Sequence, residues 1–259
     1  MAQKETTSAI DKAITVLDVI SNCAAGVTSV ELIEATKLNK MVINKILKTL
    51  LEREYVFYDQ KSNRYTLGFK SLELGISSLV NVNIVDVAIP FVKSLSNTLN
   101  ETCFLGVYNS GNVVYLYKSE GNYAIHTSSN LGHMRPAYCT GLGRILLAHQ
   151  AEEEIQRILC SPLPKYTQKT VTDSNQLSEI LAKVRQENIA YDWEEVEEGL
   201  VCVASGIFNY SNDVVAAISI AGPSNRMQNQ MAKCASLLKE AANSISKRLG
   251  YISNIKNEV

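Results

Sequence analysis

The chain has 259 residues, 46% hydrophobic and 20% charged, with 25 Lys and Arg against 26 Asp and Glu. That length suits one large or two ordinary domains, and that composition supports a packed core and excludes a largely disordered chain. A net charge of −1 excludes a uniformly basic coat for nucleic acid, and six scattered cysteines with no C-x-x-C pair exclude a disulfide scaffold. The longest apolar run, around Val214 to Ala221, is too short to span a bilayer. Residues 1–7 lack the apolar segment of a secretion signal, so the expectation is a soluble, cytoplasmic protein with reduced thiols and no membrane partner. Charge is uneven: residues 1–70 hold ten Lys and Arg against eight Asp and Glu, and the remainder fifteen against eighteen.

Ile10, Ala13, Ile14, Leu17 and Ile20 recur at helical spacing and predict an amphipathic helix over 8–21, broken at Gly26. Thr28-Ser29-Val30-Glu31 reads as a capping box, opening a short helix to about Ala35. The stretch from Thr36 to Lys48 carries a third helix. Ile43, Ile46, Leu47 and Leu50 form its apolar face, opposite Lys40, Met41, Asn44, Lys45 and Lys48. From Ala35 to Leu51 there are four lysines and no acid. Taken alone, such a face reads first as an ordinary solvated surface. It also suits a DNA major groove, where lysine reaches phosphate or guanine and asparagine pairs with adenine.

The next segment of chain decides between the two. Tyr55 to Tyr58 and Arg64 to Leu67 are aromatic and β-branched runs separated by five polar residues, which predicts a hairpin. Helix, turn, basic helix and hairpin in this order make a winged helix-turn-helix over residues 1–68. The expected DNA contacts are Thr28 and Ser29 on the second helix, Lys40, Met41, Asn44, Lys45 and Lys48 on the third, and Lys61, Asn63 and Arg64 on the wing.

From Gly68 to Val82 the apolar positions Leu72, Leu74, Ile76 and Leu79 exceed what a small domain needs, which predicts a linker helix (69–84) that packs on a partner subunit. A helix comes next over Asp86 to Asn100, with Asp86 as its cap and Pro90 in its first turn. Strands are expected at Thr102 to Tyr108, Val113 to Lys118 and Tyr123 to Thr127, then a loop over Asn130 to Pro136. Cys139 to Gly143 opens a helix reaching about His149. Further helices fall at 151–159 and 173–187, the latter capped by Asp173. Ile189 to Trp193, Leu200 to Phe208 and Val214 to Ile220 return to strand, and Ser224 to Gly250 is a long closing helix. The fold class is therefore α+β: a winged helix-turn-helix, a linker helix and a body (85–259) with an antiparallel sheet.

Several segments carry a resemblance. Ser8 to Leu17, Arg64-Tyr65-Thr66-Leu67-Gly68, Pro136 with Thr140-Gly141-Leu142-Gly143-Arg144, and Tyr191-Asp192-Trp193-Glu194-Glu195 with Gly199-Leu200-Val201-Cys202-Val203-Ala204 resemble, in order and spacing, motifs of IclR-type bacterial transcriptional regulators. Ala216 to Pro223 resembles that family's last sheet strand. The resemblance covers nearly the whole chain. It implies a GAF-like effector-binding domain, assembly as a homodimer or dimer of dimers on pseudo-palindromic double-stranded operator DNA, and control by a small-molecule effector, often an organic, sugar or aromatic acid. Carried over by position, the effector pocket comprises Gly141, Leu142, Asp192, Cys202, Ser219 and Ala221. Leu142 stands where a small residue is usual and Ala221 where serine is common, which makes this pocket more apolar. Asn39 replaces a usual proline, and Met41-Val42 replace frequent hydroxyl residues, so the operator cannot be borrowed from relatives.

The chemistry of these residues has plainer alternatives. A helix N-terminus at Thr140 to Gly143 can hold a carboxylate, yet glycines there also let a helix pack closely on a sheet. Cys202 on a buried strand reads first as an inert core thiol, and second as pocket lining. Arg135 and His133 precede the pocket segment and can neutralise an acidic effector or simply be solvated. Catalysis is disfavoured: three histidines are too sparse for H-E-x-x-H, and Cys139 near His133 lacks a third orienting group. No cofactor and no metal are expected. The remaining alternative is a DNA-binding protein whose body only oligomerises. Ser219 and Asp192 facing a cavity, rather than a packed interior, would argue against it.

Overall fold

A computed structural model describes residues 8–80, 83–123 and 131–252. The chain divides into two compact units at 81/82.

The first unit opens with α1 (Ala9–Ser21), capped by the Ser8 hydroxyl, which accepts from the Asp11 N–H. α2 (Ser29–Thr36) carries the capping box: Thr28 Oγ1 accepts from Glu31 N–H while the Glu31 carboxylate accepts from Thr28 N–H at 2.7 Å. α3 (Lys40–Glu52) occupies most of the stretch from Thr36 to Lys48 and runs one turn beyond it. Lys37 turns left-handed to end α2, and Asn39 caps α3 by accepting from Val42 N–H. Ile43, Leu47 and Leu50 of α3 meet Val16, Ile20, Val27, Leu32 and Val56 in one core. β1 (Val56–Asp59) and β2 (Arg64–Leu67) form the wing hairpin, and Val27 bridges to Tyr65 alongside it. α4 (Phe69–Val80) is joined to this unit. Lys70 N–H donates to the Glu54 carbonyl, and the Ser71 hydroxyl to the Tyr55 carbonyl.

The second unit begins with α5 (Ile84–Leu99). Asn83, not Asp86, is its cap, since Asn83 Oδ1 accepts from Val85 N–H; Asp86 lies in the first turn, where its charge suits the helix dipole. Pro90 consequently falls in the second turn rather than the first. The strands are β3 (Thr102–Asn109), β4 (Asn112–Ser119), β5 (Met134–Pro136), β6 (Ala190–Trp193), β7 (Leu200–Phe208) and β8 (Val214–Pro223). They form one antiparallel sheet in the order β5-β4-β3-β8-β7-β6. β5 corrects the expectation of a plain loop at Asn130 to Pro136. Its three residues pair with Asn112 to Val114 at the sheet edge, a length too short to leave a periodic signal. The strand expected at Tyr123 to Thr127 lies, after Tyr123, outside the described residues.

Alternation along β3, β7 and β8 sends side chains to two cores. Cys103, Leu105, Val201, Val203, Ile207, Ala216, Ile218 and Ile220 face α5 and α9 (Ser224–Arg248). Phe104, Ala204, Ala217 and Ala221 face α6 (Gly141–Ala148), α7 (Glu152–Leu159) and α8 (Ser174–Glu187). The α6 side is built of small residues, so this wholly buried helix sits close to the sheet. No helix of the described residues is long and apolar enough to cross a membrane.

Candidate functional site

Two sites emerge, one in each unit. On α3 the exposed residues are Lys40, Met41, Asn44, Lys45 and Lys48, opposite the buried Ile43, Leu47 and Leu50, with Met41 84% exposed. Lys40, Asn44 and Lys48 recur every four residues along one side, about 12 Å in all at 1.5 Å per residue. An exposed methionine flanked by lysines, with no acid before Glu52, is poorly suited to facing water alone but matches phosphates and a thymine methyl.

The wing is less uniform than its sequence. Asn63 takes the left-handed conformation (φ 57°) that the turn requires, and its side-chain carbonyl accepts from the Tyr58 hydroxyl at 2.6 Å. Arg64 Nη1 donates to the Gly26 carbonyl at 2.6 Å and lies 3.4 Å from the Glu31 carboxylate. Arg64 thus ties the wing to the start of α2. The Thr28 hydroxyl is likewise engaged in its cap, and Ser29 sits half-buried beside it. Lys61 remains the exposed cation of the turn.

In the second unit, Arg135, Gly141, Leu142, Asp192, Cys202, Ser219 and Ala221 line a single recess of about 30 Å³ between the sheet and the N-terminus of α6. Seven residues spread over 87 positions of sequence therefore converge. Thr140, expected at the helix N-terminus, lines it as well; Phe104, Tyr115, Val196, Glu197 and Leu200 complete the lining and were not anticipated. Period-two alternation on β3 could have indicated Phe104; Val196 and Glu197 lie in an irregular loop with no local signal. His133 is exposed and outside the recess.

The helix end is formed by Thr140, whose Oγ1 accepts from Gly143 N–H, leaving the N–H groups of Gly141 and Leu142 without helical acceptors. The two glycines differ. A Cβ on Gly143 would lie 2.3 Å from Ala137 Cα, so packing demands glycine there. A Cβ on Gly141 would meet Ala204 Cβ at 3.4 Å, an ordinary contact, so packing alone does not demand it.

Asp192 is buried, and its Oδ1 accepts from Glu195 N–H at 2.8 Å. Burial pushes its carboxyl up to about 7, which makes it a proton donor in slightly acidic conditions. Burial also raises the Cys202 thiol well above its ordinary range. Cys202 is therefore an unreactive thiol that nonetheless lines the recess. Burial pushes the Cys139 thiol up to about 12, which removes it as a nucleophile for His133 to activate. Ser219, 2% exposed, sets its hydroxyl on the wall of the recess. Arg135 and Glu197 set opposite charges on the lining.

A winged helix-turn-helix followed by an α+β domain with a recessed polar cavity defines a class, the transcription factor that carries its own sensor. The family model described as bacterial transcriptional regulator IclR C-terminal matches residues 76–247. The HTH-type transcriptional regulator KdgR of Escherichia coli K12 is 31% identical over 223 residues, 85% of this chain and 85% of its own length. The HTH-type transcriptional repressor AllR of Escherichia coli UTI89 is 30% identical over 213 residues, 82% of this chain and 79% of its own. The crystal structure of the Agrobacterium tumefaciens repressor BlcR matches with a TM-score of 0.83 at 25% identity, covering 96% of this chain and 100% of that one. The chain belongs to the IclR family of bacterial transcriptional regulators. It is a DNA-binding regulator with an effector-binding C-terminal domain, not an enzyme.

Proposed function

We propose that this protein is a cytoplasmic repressor of a catabolic operon, acting as a homodimer or dimer of dimers on a pseudo-palindromic operator. Two copies of α3 enter successive major grooves. Lys40, Lys45 and Lys48 supply phosphate affinity, Asn44 and Met41 read base edges, Thr28 and Ser29 touch the backbone, and the wing contributes through Lys61, with Asn63 and Arg64 shaping its turn. The effector is a small organic, sugar or aromatic acid held by Arg135, Gly141, Leu142, Asp192, Cys202, Ser219 and Ala221.

One observation carries the effector assignment: the N–H groups at the start of α6, a protonatable Asp192 and the Ser219 hydroxyl converge on one recess. Donors without acceptors, aimed at a common point, suit a carboxylate. Exposed apolar residues on α4, among them Phe69 at 77%, Leu72 and Leu74, support subunit pairing along the linker helix (69–84), which separates the winged domain (1–68) from the effector domain (85–259). Effector action is then a coupling free energy of about 1–3 kcal/mol between recess and operator.

The test is a thermal-shift screen of the purified protein against organic, sugar and aromatic acids, followed by operator gel shifts with each hit. A bound acid raises the melting temperature by mass action and changes operator affinity. A well-folded protein that binds operator but is stabilised by none of these acids would instead have a purely oligomerising body.

A further inference from the structure

Beside the recess lies a hydroxyl that no other group among the described residues uses. Thr102 on β3 pairs with Ala221 on β8, Ala221 with Cys202 on β7, and Cys202 with Asp192 on β6. Directly paired residues present side chains on one face, and Phe104, two positions along β3 from Thr102, lines the recess together with Ala221, Cys202 and Asp192. Thr102 therefore stands on the recess side, one strand beyond the Ala221 methyl. It is 1% exposed, and its Oγ1 is the one buried side-chain polar atom without a hydrogen-bond partner among the described residues. A hydroxyl kept dry and unpaired is unfavourable, and where one persists it calls for a ligand or water to satisfy it.

We propose that Thr102 is a specificity-determining residue of the effector site, whose hydroxyl pairs with a hydroxyl of the ligand, and that the effector is a small hydroxy acid rather than an unsubstituted one. This rests on reading the recess as the effector site. Gly141 lies over β7, against Ala204. Thr102 lies two strands across the sheet from that point and one side-chain row along it, since Ala204 pairs with Ser219 and Ser219 with Phe104. The recess, about 30 Å³, keeps the ligand to an acid of a few carbons. Ser219, in the adjacent row opposite Phe104, adds its hydroxyl to the lining on the same path.

The experiment titrates the full-length protein by calorimetry with matched pairs: glycolate and acetate, lactate and propanoate, 3-hydroxybutanoate and butanoate. The single tryptophan, Trp193, 41% exposed next to Asp192, gives a second readout by fluorescence. Wild type binds the hydroxy member of at least one pair about three- to tenfold more tightly. Thr102→Val abolishes that preference without weakening the unsubstituted acid and without lowering the melting temperature, and Thr102→Ser retains it. Acids that bind wild type with no hydroxyl preference, or a preference that survives in Thr102→Val, would overturn the role of Thr102 and leave the recess reading intact. If no acid of either kind binds wild type, the proposal fails, and the recess reading fails with it only where the thermal-shift screen of sugar and aromatic acids is also blank.

Discussion

Arg144 on α6 lays its guanidinium along the Glu195 carboxylate, with Nη1 2.5 Å from Oε1 and Nη2 2.6 Å from Oε2, both side chains buried. Two further donors are used: Nε reaches the Tyr138 carbonyl and Nη1 the Tyr191 carbonyl. Glu195 also accepts from Val171 N–H, while the Thr167 and Thr170 hydroxyls donate to the Glu194 and Glu195 carbonyls. One ion pair thereby fixes α6, the end of β6 and the loop bearing Val196 and Glu197, which together make three sides of the recess.

Removing one partner of a buried pair strands the other charge, at a cost of about 3–5 kcal/mol. Glu195→Ala is therefore expected to lower the unfolding free energy of the second unit by about that amount, read from urea titration. The double variant Arg144→Met, Glu195→Met should recover most of the loss, because an apolar pair leaves no stranded charge. Equal losses in the single and double variants would mean that the hydrogen bonds to Tyr138, Tyr191 and Val171, not the charge pair, hold the loop.

The raised Asp192 carboxyl makes a prediction whose sign is fixed. A buried acid titrating at about 7, against about 4 when unfolded, keeps its proton longer in the folded state. The folded protein binds more protons between these values, so this group's contribution falls as pH rises from about 4 to 7 and is level above that. Asp192→Asn should remove this slope, gaining up to about 4 kcal/mol relative to wild type at pH 8 and little at pH 4. For a carboxylate effector that accepts the Asp192 proton, wild-type affinity should drop about tenfold per pH unit above 7 and stay flat in Asp192→Asn. Denaturation and calorimetry at pH 5, 7 and 8 distinguish these outcomes.

Much of this was legible in the sequence, for reasons that differ by element. The α2 capping box and the α3 faces depend on residues within one or two turns, and both formed as read. The cap of α5 was misplaced because Asp86 and Asn83 are both capping residues and only the entering backbone decides between them. The wing's basic residues looked alike in sequence. Only the 38-residue contact from Arg64 to Gly26 shows that one of them is committed to structure. The recess divides in the same way. Resemblance brought in Asp192, Cys202 and Ser219, whereas Glu197 and the unpaired Thr102 are set by strand register and loop path, which no local pattern encodes.

The difference between wing residues can be measured. Lys61→Ala and Lys45→Ala should each weaken operator binding evenly across sequences and lower the slope of log affinity against log salt by about 1. Asn44→Ala should weaken specific binding by about 1–3 kcal/mol and relax preference at one base pair. Arg64→Ala should act differently, lowering the melting temperature of the winged unit with little change in salt slope, since its guanidinium is spent on Gly26 and Glu31. A dimer neutralising roughly 6–10 phosphates should lose about 10³–10⁵ in affinity between 50 and 200 mM salt. An unaltered slope in Lys45→Ala would place DNA on another face.

The two glycines that open α6 should respond to alanine with opposite sign. Gly143→Ala drives a methyl to 2.3 Å from Ala137 Cα and 2.4 Å from the Ala137 carbonyl oxygen, backbone atoms that cannot swing aside. The helix start must then move away from the loop that precedes it, at a cost of about 1–3 kcal/mol or more, and the Thr140 cap on Gly143 N–H is disturbed with it. Gly141→Ala adds only an ordinary contact with Ala204 and removes a flexible residue from a helix, worth about 0.4–1 kcal/mol in favour of the fold where the backbone fits. Thermal unfolding of the two variants reads the contrast directly. If both lose stability alike, the backbone at Gly141 is held more tightly than its 3.4 Å clearance implies. The free N–H groups at the start of α6 would then be fixed by packing at both glycines, with no room left at Gly141 for an acid to approach.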